Sequence, residues 1–260
     1  MKLIIIIPAH NEETRIAKTL EEYGKYFQEL KKGKKLDCEI LVILNACKDN
    51  TLEVVRKAEK RHKIIKHLDF IEGGKGFAVK EGFKEALKGK AELIGFVDAD
   101  MATRSEHFYE LVKNIGEYDG AIASRYIKGS ILTPKQGFSR RIAGFAFHMV
   151  VRALFFMPYR DTQCGCKLFK REVITKVLEQ MSISGWAFDV DLLYTARKNG
   201  FKIKEIPTVW QDQAESKLNL KKASIQMFFA VVQLRLFKSP FKIFHKALGA
   251  LAYKFYRIVK

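Results

Sequence analysis

Asp98 and Asp100 stand two residues apart, directly after the apolar run Leu93–Val97. Carboxylates at the point where a buried strand emerges suit a divalent cation shared with phosphate oxygens, because Mg²⁺ typically takes one or two carboxylates plus substrate phosphates. The same spacing also serves a helix N-cap, with Asp100 capping the next turn. Gly73-Gly74-Lys75-Gly76 offers backbone N–H groups and an ammonium to a phosphate at a helix start. It lacks Walker A spacing, and taken alone an ordinary glycine turn accounts for it. Pro8-Ala9-His10-Asn11-Glu12 follows the first apolar run, and Asn45 and Asp49 follow the second. Asn45 and Asp49 can hydrogen-bond a nucleobase or build an Asx turn. Arg125, Arg140 and Arg141 can grip a phosphate bidentately, which makes them candidates for a phosphorylated acceptor. Asp161-Thr162-Gln163-Cys164-Gly165 and Trp186-Ala187-Phe188-Asp189-Val190-Asp191 are polar–apolar clusters without a generic motif.

The elements that must hold these groups alternate. Apolar runs at 2–7, 39–44, 64–70, 93–97 and 120–123 read as strands. Helical spacing over 13–30, 51–61, 77–87 and 105–115 separates them. The alternation predicts an α/β fold with a mostly parallel central sheet and helices on both faces. Ligands bind such sheets beyond the carboxyl ends of the strands, which is where each polar motif of this half falls. The second half is less regular. Helices are expected over 140–155, 172–181, 187–199, 220–237 and 241–259, with Asp189 opening the third of these, and a strand over 202–209.

The chain has 260 residues, 48% of them hydrophobic, so it can bury a core. Its net charge of +18 points to an anionic partner. Residues 216–260 hold ten Lys/Arg and no acid, and 121–170 hold nine against Asp161 alone. These two segments account for the whole excess and leave the rest neutral. Cys38, Cys47, Cys164 and Cys166 form neither a disulfide framework nor a zinc spacing and read as reduced thiols. The apolar start, ended by Pro8, is too short for a signal segment. No run reaches the ~18–20 apolar residues needed to span a bilayer.

In this order the motifs resemble family 2 glycosyltransferases of the GT-A fold over residues 2–218. The carriers are Pro8-Ala9-His10-Asn11-Glu12, the loop from Asn45 to Asp49-Asn50-Thr51, Gly74-Lys75-Gly76, Asp98-Ala99-Asp100 and Ser124-Arg125. Within the family, residues 161–169, 186–193 and 216–218 resemble the dolichyl-phosphate glucosyltransferase branch, with the mannosyltransferase branch next. The resemblance implies inverting transfer of a hexose from a nucleotide sugar, UDP-glucose or alternatively GDP-mannose, to dolichyl or another polyprenyl phosphate, with Mg²⁺ or Mn²⁺. It implies that Pro8, Ala9, Glu12, Asn45, Asp49, Lys75 and Asp98 bind the nucleotide sugar. Asp98 and Asp100 would hold the metal. Arg125, Arg140, Arg141, Ser216 and Lys217 would meet the acceptor phosphate. Asp100, Asp189 and Arg125 would form the catalytic set. Two departures stand out: Leu44-Asn45-Ala46-Cys47 replaces the family's usual Asp-Asp-Gly-Ser, and Ala102 stands where the mannosyl branch often has Gln.

The expected organisation is a catalytic domain at 1–218 and amphipathic basic helices at 219–260. In the last of these, Phe241, Phe244, Ala247, Leu248, Leu251 and Phe255 make an apolar stripe, with Lys242, His245, Lys246 and Lys254 largely off it. That pattern suits a helix lying on an anionic membrane surface, or one packed on the core. The location expected is peripheral, on the cytoplasmic face of the membrane. A basic nucleic-acid-binding protein is the alternative of another class, but the charge excess avoids residues 1–120 and no nucleic-acid module is present. A non-catalytic membrane-binding protein would not need the Asp98/Asp100 pair.

Overall fold

The structure is a computed structural model, and it describes residues 1–133, 138–182, 185, 187–211 and 220–239. The first half alternates β1 (Lys2–Ala9), α1 (Ile16–Lys32), β2 (Asp37–Asn45), α2 (Thr51–Arg61), β3 (Ile65–Phe70), α3 (Lys75–Lys88), β4 (Leu93–Val97), α4 (Ser105–Asn114) and β5 (Gly120–Ser124). It continues with β6 (Ile131–Thr133), α5 (Phe138–Phe155), β7 (Cys166–Lys170), α6 (Arg171–Gln180), α7 (Phe188–Lys198), β8 (Ile203–Pro207), β9 (Val209–Gln211) and α8 (Leu220–Phe237).

Seven strands form one sheet in the order β3-β2-β1-β4-β7-β5-β8. Leu3, Ile5 and Ile7 of β1 join the core beneath α1 and α2, while Ile4 and Ile6 join the core beneath α3. A strand covered on both faces reads as continuously apolar, which is the pattern of the run Leu3–Ile7. Helix α1 buries Ile16, Leu20, Tyr23 and Phe27 along one stripe. The strand order reverses between β1 and β4, which pair in parallel. The crevice beyond their carboxyl ends is therefore the topological switch point.

Two features differ from the sequence-based expectation. Strand β7 runs antiparallel between β4 and β5. Its pattern hides it, because Lys167 occupies a core-facing position next to Phe169 and is itself fully buried. The strand expected over 202–209 divides: β8 pairs with β5, and β9 pairs with β6 in a separate two-stranded sheet. The break follows Pro207, which has no N–H to donate and sits at the end of the edge strand β8. Helix α8 packs on α5 and buries Val231 and Leu234 completely. The expected helix over 241–259 and the boundary at 218/219 lie outside the described residues.

Gly95 sits in the middle of β4 because the sheet and α4 leave it no room. A Cβ there would lie 2.5 Å from the Lys167 carbonyl oxygen and 2.9 Å from Phe108 Cζ. Gly95→Ala is expected to destabilise the fold by about 1–3 kcal/mol, read as a lower urea midpoint. An unchanged midpoint would contradict the tight β4–β7 and β4–α4 packing.

Candidate active site

Helix α1 builds the floor of the crevice. Thr19 donates to the Ala99 carbonyl at 2.6 Å, Tyr23 to the Thr103 carbonyl at 2.8 Å, and Glu22 accepts from the Ser105 amide at 2.9 Å. Positions 19, 22 and 23 share one helix face, so a single stripe fixes the whole turn that carries Asp98 and Asp100. Met101, directly after Asp100, has a positive φ of 62°. Asn11 and Ala46 have φ of 53° and 50°, and all three lie just beyond strand ends of the switch region. Strained backbone of this kind persists where the surroundings over-determine it, commonly at functional sites.

The Asp98 amide donates to the Gly165 carbonyl at 3.0 Å, and its Oδ1 lies 2.6 Å from Lys75 Nζ. A Cβ on Gly165 would stand 1.9 Å from Asp98 Oδ2, so the missing side chain is what accommodates this carboxylate. Asp100 accepts the Ala102 amide at 3.0 Å. Desolvation, with the Asp98 charge second, raises the Asp100 pKa. Among the described residues no three His, Cys, Asp or Glu side chains gather into a closed cage. Two hard carboxylate oxygen donors, both half-buried, fit Mg²⁺ or Mn²⁺ held jointly with substrate phosphates, rather than zinc or an enclosed structural ion.

On the β1–β2 side, Pro8 and Ala9 are buried at the strand end. The Asn45 amide is buried and engaged on both sides: Nδ2 donates to the Ala9 carbonyl at 2.8 Å and Oδ1 accepts the Gly74 amide at 2.9 Å. Asn45 thereby ties β1, β2 and the glycine loop together. Asp49 accepts the amides of Thr51 at 3.0 Å and Glu13 at 3.2 Å. Burial opposes its charge, but these bonds and that from the Thr51 hydroxyl prevail and lower its pKa. Glu12 is held bidentately by Arg15, at 2.7 and 2.6 Å. His10 is exposed, with Nδ1 2.7 Å from the Asn45 carbonyl.

On the other side, Arg125 forms a fork on Asp161, with Nε and Nη2 at 2.7 and 2.9 Å from the two carboxylate oxygens. Its guanidinium lies 5.2 and 5.3 Å from the ring centroids of Tyr126 and Trp210. Asp161 also accepts the amides of Gln163 and Cys164, so the pair shapes the loop leading to Gly165. Asp189 opens α7 one residue in, and its Oδ1 lies 2.5 Å from Lys167 Nζ, which also donates to the Cys164 carbonyl at 2.6 Å. Asp191 is paired with Lys238 at 2.8 Å, which clamps the segment after α8 onto α7. Arg140 and Arg141 fall in the first turns of α5. The expected Ser216 and Lys217 lie outside the described residues.

Sequence reasoning did not single out Arg15 or Lys167. The only signal for Lys167 is its register beside Phe169, since a lysine on a core-facing position needs a buried anion. Arg15 stands three residues after Glu12, one helical turn away, which is ion-pair spacing.

The Arg125–Asp161 pair yields a pH test. Burial pushes the Asp161 carboxyl up, but Arg125 outweighs this and its pKa is lowered. The stabilisation is therefore present above the ordinary carboxylate range and is lost as pH falls through the folded-state value. Asp161→Asn is expected to cost about 3–5 kcal/mol near neutral pH. The gap between wild type and variant should narrow on acidification from about pH 7 to about pH 3. A gap that stays constant in urea melts across that range would refute the assignment.

Residues 4–178 match the family described as Glycosyl transferase family 2. A dolichyl-phosphate beta-glucosyltransferase of Dictyostelium discoideum is 35% identical over 243 residues, covering 90% of this chain and 73% of that protein. The Saccharomyces cerevisiae protein of the same description is 30% identical over 253 residues, covering 90% and 74%. Among solved structures, a mannosyltransferase from Pyrobaculum calidifontis in complex with GDP-Man and Mn²⁺ matches with a TM-score of 0.61 at 20% identity, covering 96% of this chain and 69% of the other. Glucosyl-3-phosphoglycerate synthase from Mycobacterium tuberculosis, in complex with UDP, matches with a TM-score of 0.67 at 16% identity, covering 90% and 80%. The structural likeness establishes the GT-A fold, and the extent of the family match makes this chain a glycosyltransferase of family 2.

Proposed function

We propose that the protein moves glucose from UDP-glucose onto the phosphate of dolichyl or another polyprenyl phosphate, with inversion, assisted by Mg²⁺ or Mn²⁺. The observation that carries this reading is the 30–35% identity to dolichyl-phosphate beta-glucosyltransferases along about nine-tenths of the chain.

The chemistry asked of the residues is modest. A polyprenyl phosphate is already an anion near neutral pH, so attack on the sugar carbon needs positioning and charge stabilisation more than a general base. Pro8, Ala9, Glu12, Asn45 and Asp49 frame the nucleoside end, with Asn45 fixing the wall through its backbone partners. Lys75 and the first turn of α3 face the diphosphate. Asp98 and Asp100 would hold the cation, which when bound neutralises charge on the departing diphosphate. Asp189, neutralised by Lys167, orients rather than takes a proton. Arg125 is committed to Asp161 and holds the 161–166 loop in shape at the acceptor side. Arg140, Arg141, Ser216 and Lys217 supply the remaining cations and donors for the acceptor phosphate.

The acceptor's place in a bilayer gives the apolar surface of α5 and α8 a purpose. Met149, Ile225 and Phe228 are 49%, 44% and 43% exposed, although α8 also buries Val231 and Leu234. Among the described residues no helix is long and apolar enough to cross a membrane. We assign this surface to peripheral contact with an anionic membrane, assisted by the basic segment beyond residue 239.

Purified protein with Mn²⁺, dolichyl phosphate and UDP-glucose is expected to form a lipid-linked glucose, with GDP-mannose as the parallel arm. Product from GDP-mannose alone would reassign the donor, and product from neither would overturn the reading. Asp100→Asn is expected to lower transfer about 100-fold or more, and turnover near wild type would remove Asp100 from the site. Ile225→Glu/Phe228→Glu is expected to weaken flotation with anionic liposomes while leaving UDP binding intact. Unchanged flotation would rule out α8 as the contact surface.

A further inference from the structure

Two lysines share the ring of Phe96 at the end of β4. Lys167 Nζ lies 5.3 Å from its centroid and Lys75 Nζ lies 5.9 Å away. They differ in freedom. Lys167 is fully buried, with its ammonium fixed between Asp189 and the Cys164 carbonyl. The Lys75 side chain is 40% exposed and makes its ion pair with Asp98, itself 36% exposed. Because Lys167 already neutralises Asp189, the pairing anion left for Lys75 is Asp98, the carboxylate that the metal would need. Lys75 is also the first residue of α3, whose N-terminus carries no side-chain cap. A phosphate arriving there would meet the helix N–H groups and the lysine together.

We propose that Lys75 is a placeholder cation: in the free protein it occupies Asp98 in place of the divalent ion, and it passes to the donor diphosphate when metal and nucleotide arrive together. This inference rests on the metal-dependent reading above and deepens it. Its physical content is an exchange of charge partners. Without nucleotide, a metal ion must displace Lys75 from Asp98 and leave an ammonium beside a dication. With nucleotide, the diphosphate takes the ammonium, so Asp98 is released without an unpaired charge. Metal and nucleotide must then reinforce one another's binding by the same factor.

The test is Mn²⁺ binding to the full chain, by electron paramagnetic resonance or calorimetry, with and without UDP or GDP. Wild type is expected to bind Mn²⁺ weakly alone and more tightly with the nucleotide. Lys75→Gln should bind Mn²⁺ alone about three- to fivefold more tightly, the scale of a half-exposed ion pair. It should also lose most of the nucleotide's enhancement. Lys75→Arg keeps the charge and should behave as wild type in the metal-alone arm. Lys84→Gln removes an exposed charge from the same helix and should change Mn²⁺ affinity less than about twofold, because exposed charges are screened. Equal or weaker Mn²⁺ binding by Lys75→Gln, with an unchanged melting curve, would overturn the proposal. So would a wild type whose Mn²⁺ affinity ignores the nucleotide. Neither readout uses a sugar or a lipid acceptor, so failure here is separable from failure of the transfer assay.

Discussion

Carboxylates held in or against the core must be neutralised, and that requirement organises this molecule. Glu12, Asp98, Asp161, Asp189 and Asp191 each have a cation within 2.5–2.8 Å: Arg15, Lys75, Arg125, Lys167 and Lys238 respectively. An uncompensated buried charge is expensive, so each pair also constrains the segments that carry it. Arg125–Asp161 closes the loop that delivers Gly165 under Asp98. Lys167–Asp189 joins β7 to α7, and Asp191–Lys238 holds the end of α8 against the body. Asp100 differs in having a backbone amide as its partner, and its burial, with the Asp98 charge second, raises its pKa.

The antiparallel strand β7 is what makes this arrangement possible. It brings Lys167 beside Phe96 of β4 and places Gly165 at the base of Asp98. A sheet of parallel strands alone would leave the β4 end without these neighbours. On the opposite face, Thr19, Glu22 and Tyr23 of α1 hold the turn after Asp100 by its backbone, and that turn accommodates the positive φ of Met101. One face thus fixes the backbone of the acidic turn, and the other sets its charge.

The outward parts of the design were readable in advance. Apolar runs and helical stripes located β1 to β5 and α1 to α4 to within a few residues, because burial on both faces of a parallel strand leaves an uninterrupted apolar signature. The polar motifs fell at strand ends for the same reason, since polar residues are admitted only where the strand leaves the core. β7 escaped notice because a buried lysine breaks the apolar pattern, and the run 202–209 reads as one strand because its apolar residues continue past Pro207, a residue that an edge strand tolerates.

Residue types and order alone determined the α/β class, the acidic pair at the β4 end, the glycine loop with its lysine, and the two basic segments. They are local properties, fixed by which side chains can be buried and which must meet water. Only the tertiary structure decided which charges pair. Asn45 became a strut between strand ends, Arg125 was committed to Asp161, Asp189 was neutralised by Lys167, and Lys75 was set on the carboxylate that a metal would need. These pairings join residues up to 36 positions apart. Their strength depends on distance and desolvation, and neither exists until the sheet and helices have closed around them.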